Sequence, residues 1–181
     1  MSRLPPTFEL GDIRLRALQT EDAGDWYSML ADPLVVEHTS FDIYGLADVV
    51  ALVSTLRSEY QSCASSRWAI ARSQNDQLIG TIGLHDPQQG TMEVGYDLTR
   101  EEWGQGIATR ALRAVTSWGF DELGLQRIQA TVMEGHGASV RVLEKCGFRK
   151  EGVLRDYRLC RGELKDFGMF ALLRRENSHD R

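Results

Sequence analysis

The feature that most constrains this chain is a β-rich run, Met92-Glu93-Val94-Gly95-Tyr96-Asp97-Leu98, that leads through Trp103-Gly104-Gln105-Gly106 into a long amphipathic helix. Ile107, Ala108, Ala111, Leu112, Val115 and Trp118 recur at helical spacing and make one apolar stripe. Glycines at the mouth of a helix let the backbone come close to a ligand. The first N–H groups there have no intrahelical partner, and the helix dipole favours negative charge. The unit is therefore a phosphate cradle in prospect. Thr109 stands where a dinucleotide fingerprint needs its third glycine, and no Gly-Lys-Ser/Thr follows for a P-loop. Taken alone, a Gly-x-Gly before a helix is equally compatible with a plain tight turn.

Strand and helix signals alternate along the rest of the chain. Ile13–Leu18 alternates as a strand, and Thr20 is placed to cap a helix through about Ala31 with Trp26, Met29 and Leu30 inward. A second helix spans roughly Leu46–Gln61. Trp68–Ala71 and Leu78–Leu84 read as a hairpin around Asn75-Asp76, and Asp86–Gly90 as a turn. Ile128, Ala130 and Val132 mark a strand, Ala138–Cys146 a short helix, and Val153–Leu159 and Phe167–Leu173 two last strands. Met1–Glu9 and the tail from Glu176 read as loose ends. Strands before, between and after helices imply a layered α/β or α+β domain with a mixed sheet.

A length of 181 residues with 42% hydrophobic content suits a single domain, 1–181, with a real core. The net charge of −5 argues against a nucleic-acid partner and is compatible with a cationic amine or basic protein substrate. Cys63, Cys146 and Cys160 are odd in number and lack metal-ligand spacing, as do His38, His85 and His179, so no metal site is expected. No membrane-length apolar run occurs, and a reduced, cytoplasmic protein is the expectation.

Some thirty residues beyond the glycine loop, Gly137-Ala138-Ser139-Val140-Arg141-Val142-Leu143-Glu144-Lys145-Cys146-Gly147-Phe148 reads as a short helix closed by a glycine, then a strand. With Trp103-Gly104-Gln105-Gly106-Ile107-Ala108-Thr109, this resembles the GCN5-related N-acetyltransferase (GNAT) superfamily, whose coenzyme A motif is Gln/Arg-x-x-Gly-x-Gly/Ala. Trp103 departs from the motif's first position. Gly152-Val153-Leu154-Arg155-Asp156-Tyr157 and Lys165-Asp166-Phe167-Gly168-Met169-Phe170 fit the ribosomal-protein-alanine (RimJ/RimL-like) branch, and the resemblance covers about residues 11–175. It implies a mainly antiparallel mixed sheet of six to seven strands splayed into a V, flanked by about four helices. It also implies acetyl-CoA as cosubstrate in that V. The acceptor would be a protein N-terminal amine or a small primary amine. A non-catalytic acyl-CoA-binding or sensing module on the same fold is the alternative, and a homodimer stays open.

An amine attacks a thioester only when neutral, yet an α-amino group near pKa ~8 is mostly charged at pH 7. A proton acceptor, a partner for the leaving thiolate and an oxyanion donor are therefore needed. The resemblance points to Glu93, on the strand before the loop, as the acceptor. Asp97, on the same face by alternation, is the rival or an anchor for the substrate ammonium. Ser139 matches the family's position beside the coenzyme sulfur, although a serine there also reads as a helix cap or first-turn residue. Tyr157 is a remote fallback. His136 replaces the usual Asn that bonds the pantetheine arm, or it is an ordinary loop histidine. Leu98, Gly104, Gln105, Gly106, Ile107, Ala108, Thr109, His136 and Ser139 make up the coenzyme set. Asp166 reads as structural. Trp68, Trp118, Phe120 and Phe148 read as core. Trp26, Phe41, Tyr44 and Trp103 lie where either the core or the mouth of the cleft could claim them.

Overall fold

The computed structural model describes residues 5–40, 45–61 and 65–177. Its strands are β1 (Phe8–Glu9), β2 (Ile13–Ala17), β3 (Ser66–Arg72), β4 (Leu78–Gln88), β5 (Thr91–Leu98), β6 (Arg127–Met133), β7 (Arg149–Cys160) and β8 (Glu163–Leu173). Its helices are α1 (Ala23–Leu30), α2 (Pro33–Val36), α3 (Leu46–Gln61), α4 (Ile107–Asp121) and α5 (Gly137–Lys145). The strands form one sheet in the order β1-β2-β3-β4-β5-β6-β8-β7. The sequence reading of six to seven strands and about four helices thus falls short by β1 and α2. The arm expected to be loose is tied down from Pro6, whose carbonyl accepts from Trp68 Nε1 at 2.8 Å, while Phe8 pairs with Leu15. Helix α2 forms because Pro33 sits at its start and the Asp32 carboxylate accepts from Leu34 N at 2.9 Å.

Other boundaries move for local reasons. Thr20 opens a 3-10 turn, Thr20–Asp22, and does not cap α1. Asp22 organises this end instead, clamped by Arg16 through two 2.8 Å bonds and accepting from Gln19 N at 2.7 Å. Strand β4 runs on to Gln88, because Asp86-Pro87 lies in a pairing irregularity where proline owes the ladder no hydrogen bond. Only Gln89-Gly90 turns, both at positive φ. Strands β7 and β8 extend past their expected starts and meet at the two-residue turn Arg161-Gly162, also at positive φ.

The sheet carries a core on each face. Ile107, Ala111, Leu112 and Val115 of α4 and Leu143 of α5 pack with Ile82, Leu84, Val94 and Ile128 on one side. Trp26, Met29 and Leu30 of α1 and Val49 and Val53 of α3 pack with Ala69 and Leu78 on the other. Strand order decides where the molecule opens. Strands β5 and β6 run parallel for three pairs, Thr91↔Arg127, Met92↔Ile128 and Glu93↔Gln129, and then part. Beyond that point β5 stays with β4 as far as Leu98, and β6 stays with β8 as far as Met133. Every other pairing in the sheet is antiparallel. The result is a V-shaped split that begins immediately after Glu93.

Candidate active site

Glu93 sits at the apex of the split on the α1–α3 face, and only 7% of it is exposed. Its Oε1 accepts from Thr131 Oγ1 at 2.6 Å across the gap and from Arg158 Nη2 at 3.2 Å. Oε2 has no partner among the described residues, so one carboxylate oxygen is fixed and the other is free to accept. Arg158 is steadied beside two aromatic rings, 5.1 Å from Tyr157 and 5.5 Å from Phe167. Asp97 shares the Glu93 face but is consumed by structure. Its Oδ1 accepts from Thr81 N and Oγ1, both at 2.7 Å, and its Oδ2 from Trp26 Nε1 at 3.3 Å and Arg67 Nη2 at 3.4 Å. Both Asp97 oxygens are thus engaged, unlike those of Glu93, and Trp26, 1% exposed, belongs to the core.

On the opposite face, alternation along β5 puts Tyr96 toward α5, where its hydroxyl lies 2.9 Å from Ser139 Oγ and 3.3 Å from Ser139 O. Burial pushes the Tyr96 phenol well above its ordinary value. Ser139 is a first-turn residue, but it is no cap. Helix α5 starts at Gly137 with His136 in the capping position, and the serine hydroxyl turns to Tyr96. Thr99 N bonds Ile79 O at 2.9 Å, so by ladder alternation the main-chain groups of Val94, Tyr96 and Leu98 face the open side of β5.

At the head of α4, Gly104 and Gly106 take φ 77° and 74°, values that side chains rarely adopt. A Cβ added at either would meet nothing within 4 Å, so the space beside them is open. The first helical bond runs from Arg110 N to Gly106 O, and Gly106 supplies no side-chain cap, which leaves the N–H groups of Ile107, Ala108 and Thr109 without a helical partner. The loop is braced from below. Gln105 Nε2 donates to Glu101 O at 2.9 Å and to Glu102 Oε2 at 3.1 Å. Arg72 grips Glu102 and Asp12, and Asp12 takes Arg110 at 2.6 Å. Trp103 stands 47% exposed at the rim, its indole donating to Leu98 O at 2.9 Å.

His136 is no ordinary loop residue. Its ring stacks on His38 with centroids 4.2 Å apart, and burial, reinforced by His38, pulls its pKa down to about 4. The chain after α2 is thus brought against the loop before α5, held there by Arg161, which donates to Val36 O, Glu37 O and Thr39 O. Asp166 is structural, accepting from the strained Asp156 N at 2.8 Å. Tyr157 lies 43% exposed on the outer bulge of β7. Burial pushes the Cys146 thiol up to about 11, which keeps it protonated. Phe41, Tyr44, Cys63 and His179 lie outside the described residues, among which no metal-binding cluster occurs.

Sequence reasoning missed Arg158, Thr131, Tyr96 and the His38–His136 contact. An arginine within an alternating strand and a tyrosine three residues past Glu93 were the available signals. Their partners are distant in sequence, however, and nothing local tied them together.

Among the described strands the mixed sheet splits at its parallel pair, and a glycine-rich turn opens the helix that follows. The family model described as Acetyltransferase (GNAT) domain matches residues 12–149, and the chain belongs to that family. It is 35% identical to p20 of Bacillus licheniformis, named as an N-acetyltransferase, over 91% of this chain and 94% of that one. It is 33% identical to YoaA of Bacillus subtilis, named as an uncharacterized N-acetyltransferase, over 93% and 97%. Among solved structures it superposes on Mycobacterium smegmatis RimJ in complex with CoA-disulfide with a TM-score of 0.84, at 25% identity, covering 93% of this chain and 85% of that one.

Proposed function

We propose that the protein is a single-domain, cytoplasmic N-acetyltransferase that moves the acetyl group of acetyl-CoA to a primary amine, a protein N-terminus or a small molecule, by direct attack in a ternary complex. The observation that carries this reading is the split itself, with a half-free carboxylate on one face and a hydroxyl pair on the other. Acetyl-CoA supplies the thioester carbonyl that a neutral amine attacks. The N–H groups from Gln105 to Thr109 suit its pyrophosphate, and the open space beside Gly106 leaves room for the close approach. The main-chain groups of Leu98 and its alternate neighbours suit the amides of the pantetheine arm, with His136 beside them. Oε2 of Glu93 takes the amine proton, directly or through water, while Thr131 and Arg158 hold Oε1. Ser139 donates to the departing thiolate from the other face. A buried, protonated Cys146 does not suit a covalent acyl-enzyme.

The test is thiol release and product mass when acetyl-CoA meets an amine panel of alanine- and serine-terminated peptides, polyamines and small aromatic amines. Amine-dependent release of free CoA supports the enzyme. Acetyl-CoA binding without release for any amine makes the protein an acyl-CoA-binding module.

A further inference from the structure

We propose that Tyr96 is a positioning residue that orients the Ser139 hydroxyl toward the departing thiolate; this rests on the thiolate role given to Ser139 above. The Tyr96 ring packs against the α4–α5 core beside Met92 and Val94, and only its hydroxyl is out of keeping with that apolar face. Its hydroxyl bonds only to Ser139 among the described residues, at 2.9 Å to Oγ and 3.3 Å to the carbonyl oxygen. A helical serine ordinarily turns its hydrogen back onto the carbonyl three or four residues earlier. Here the Ser139 hydroxyl turns instead to a strand residue 43 positions away.

The donor assignment follows from the available lone pairs. The Ser139 carbonyl lies within α5 and takes part in the helical ladder. The shorter contact, to Oγ, is therefore the better acceptor for the Tyr96 O–H. With one lone pair of Oγ engaged by the phenol, the serine hydrogen is directed away from the strand. Tyr96 stands three residues past Glu93, on the stretch of β5 that borders the split, and so Ser139 is held at the split from the α5 side. Burial keeps the phenol protonated through the neutral range, so it remains a donor. No proton leaves Tyr96. The Ser139 hydrogen bond stabilises the thiolate, and the phenol decides only which way that hydrogen points.

The experiment is a double-mutant cycle with acetyl-CoA and whichever panel amine releases thiol fastest. Tyr96→Phe should lower kcat by about three- to tenfold with the KM for acetyl-CoA unchanged, and Ser139→Ala by about tenfold or more. The double variant should be no slower than Ser139→Ala alone, because the phenol acts only through the serine. Placing 3-fluorotyrosine at position 96, which keeps the hydroxyl, should restore the rate. Multiplicative losses in the double variant, or a lower Tm with unchanged kcat in Tyr96→Phe, overturn the proposal and leave the Ser139 role standing. Wild-type kcat in Ser139→Ala overturns both.

Discussion

Glu93 and Asp97 are two carboxylates of like chemistry on one face of β5, separated in role by their neighbours. Four donors converge on Asp97, whereas both donors to Glu93 use a single oxygen. Glu93→Gln should lower kcat by roughly 10²–10⁴-fold with acetyl-CoA affinity nearly unchanged, read by steady-state kinetics and calorimetry. Asp97→Asn should instead cost about 1–3 kcal/mol of stability, since it leaves donors near Trp26 and Thr81 poorly matched. A crippled kcat in a fully stable Asp97→Asn would return the base to Asp97. His136 sets a pH dependence. Its proton is bound more weakly in the folded protein, at about 4, than at the ordinary 6.5. Its contribution to stability is therefore complete above 6.5 and is lost as pH falls through 4. The Tm of the wild type should drop more steeply over that window than the Tm of His136→Asn, and equal slopes would leave the ring without this burden. At neutral pH His136→Ala should weaken acetyl-CoA binding about two- to tenfold, the worth of one hydrogen bond, with His136→Asn recovering most of it in isothermal titration.

The decisive element is the junction from β5 through the glycine loop into α4. Its conformation depends on left-handed backbone at Gly104 and Gly106, and its position on the Asp12–Arg72–Glu102–Gln105 chain of contacts. Acetyl-CoA at a hundred times its Kd should stabilise the protein by about 2.7 kcal/mol, visible as a raised Tm, while NAD and ATP do much less. Gly106→Val should abolish that shift, because a branched side chain both opposes positive φ and blocks close approach to the backbone. Gly106→Asn tolerates the left-handed backbone better and should fold at nearly wild-type Tm with weakened binding. That variant separates backbone strain from obstruction of the approach. An undiminished acetyl-CoA shift in Gly106→Val would remove the loop from the coenzyme site.

At the scale of the whole molecule, the split in the sheet is a consequence of strand order. A parallel β5–β6 pair needs a crossover, which α4 supplies, and neither strand has a reason to stay with the other once β4 and β8 claim their outer edges. Thr131 reaches Glu93 across the gap on one face, and on the other face Ser139 of α5 meets Tyr96. The chain after α2 approaches from a third direction and stacks His38 on His136.

Much of this was legible in the one-dimensional order of residues. Periodicity located β5, α4 and α5. The glycines marked the left-handed turn at the head of α4, because few other residues adopt that backbone, and alternation put Glu93 and Asp97 on one face. Those signals are local, carried by residues within a turn or a strand of one another. Folding alone decided that Asp97 is satisfied by Trp26, Arg67 and Thr81 while Glu93 keeps a free oxygen, since those donors come from other strands and from a helix. Folding alone likewise brought Arg158 to Glu93 and Tyr96 to Ser139, across separations of 65 and 43 residues. The N-terminal arm and α2 escaped notice for the same reason: a two-residue strand and a single helical turn are too short to carry a period, and both are held by contacts made elsewhere in the fold.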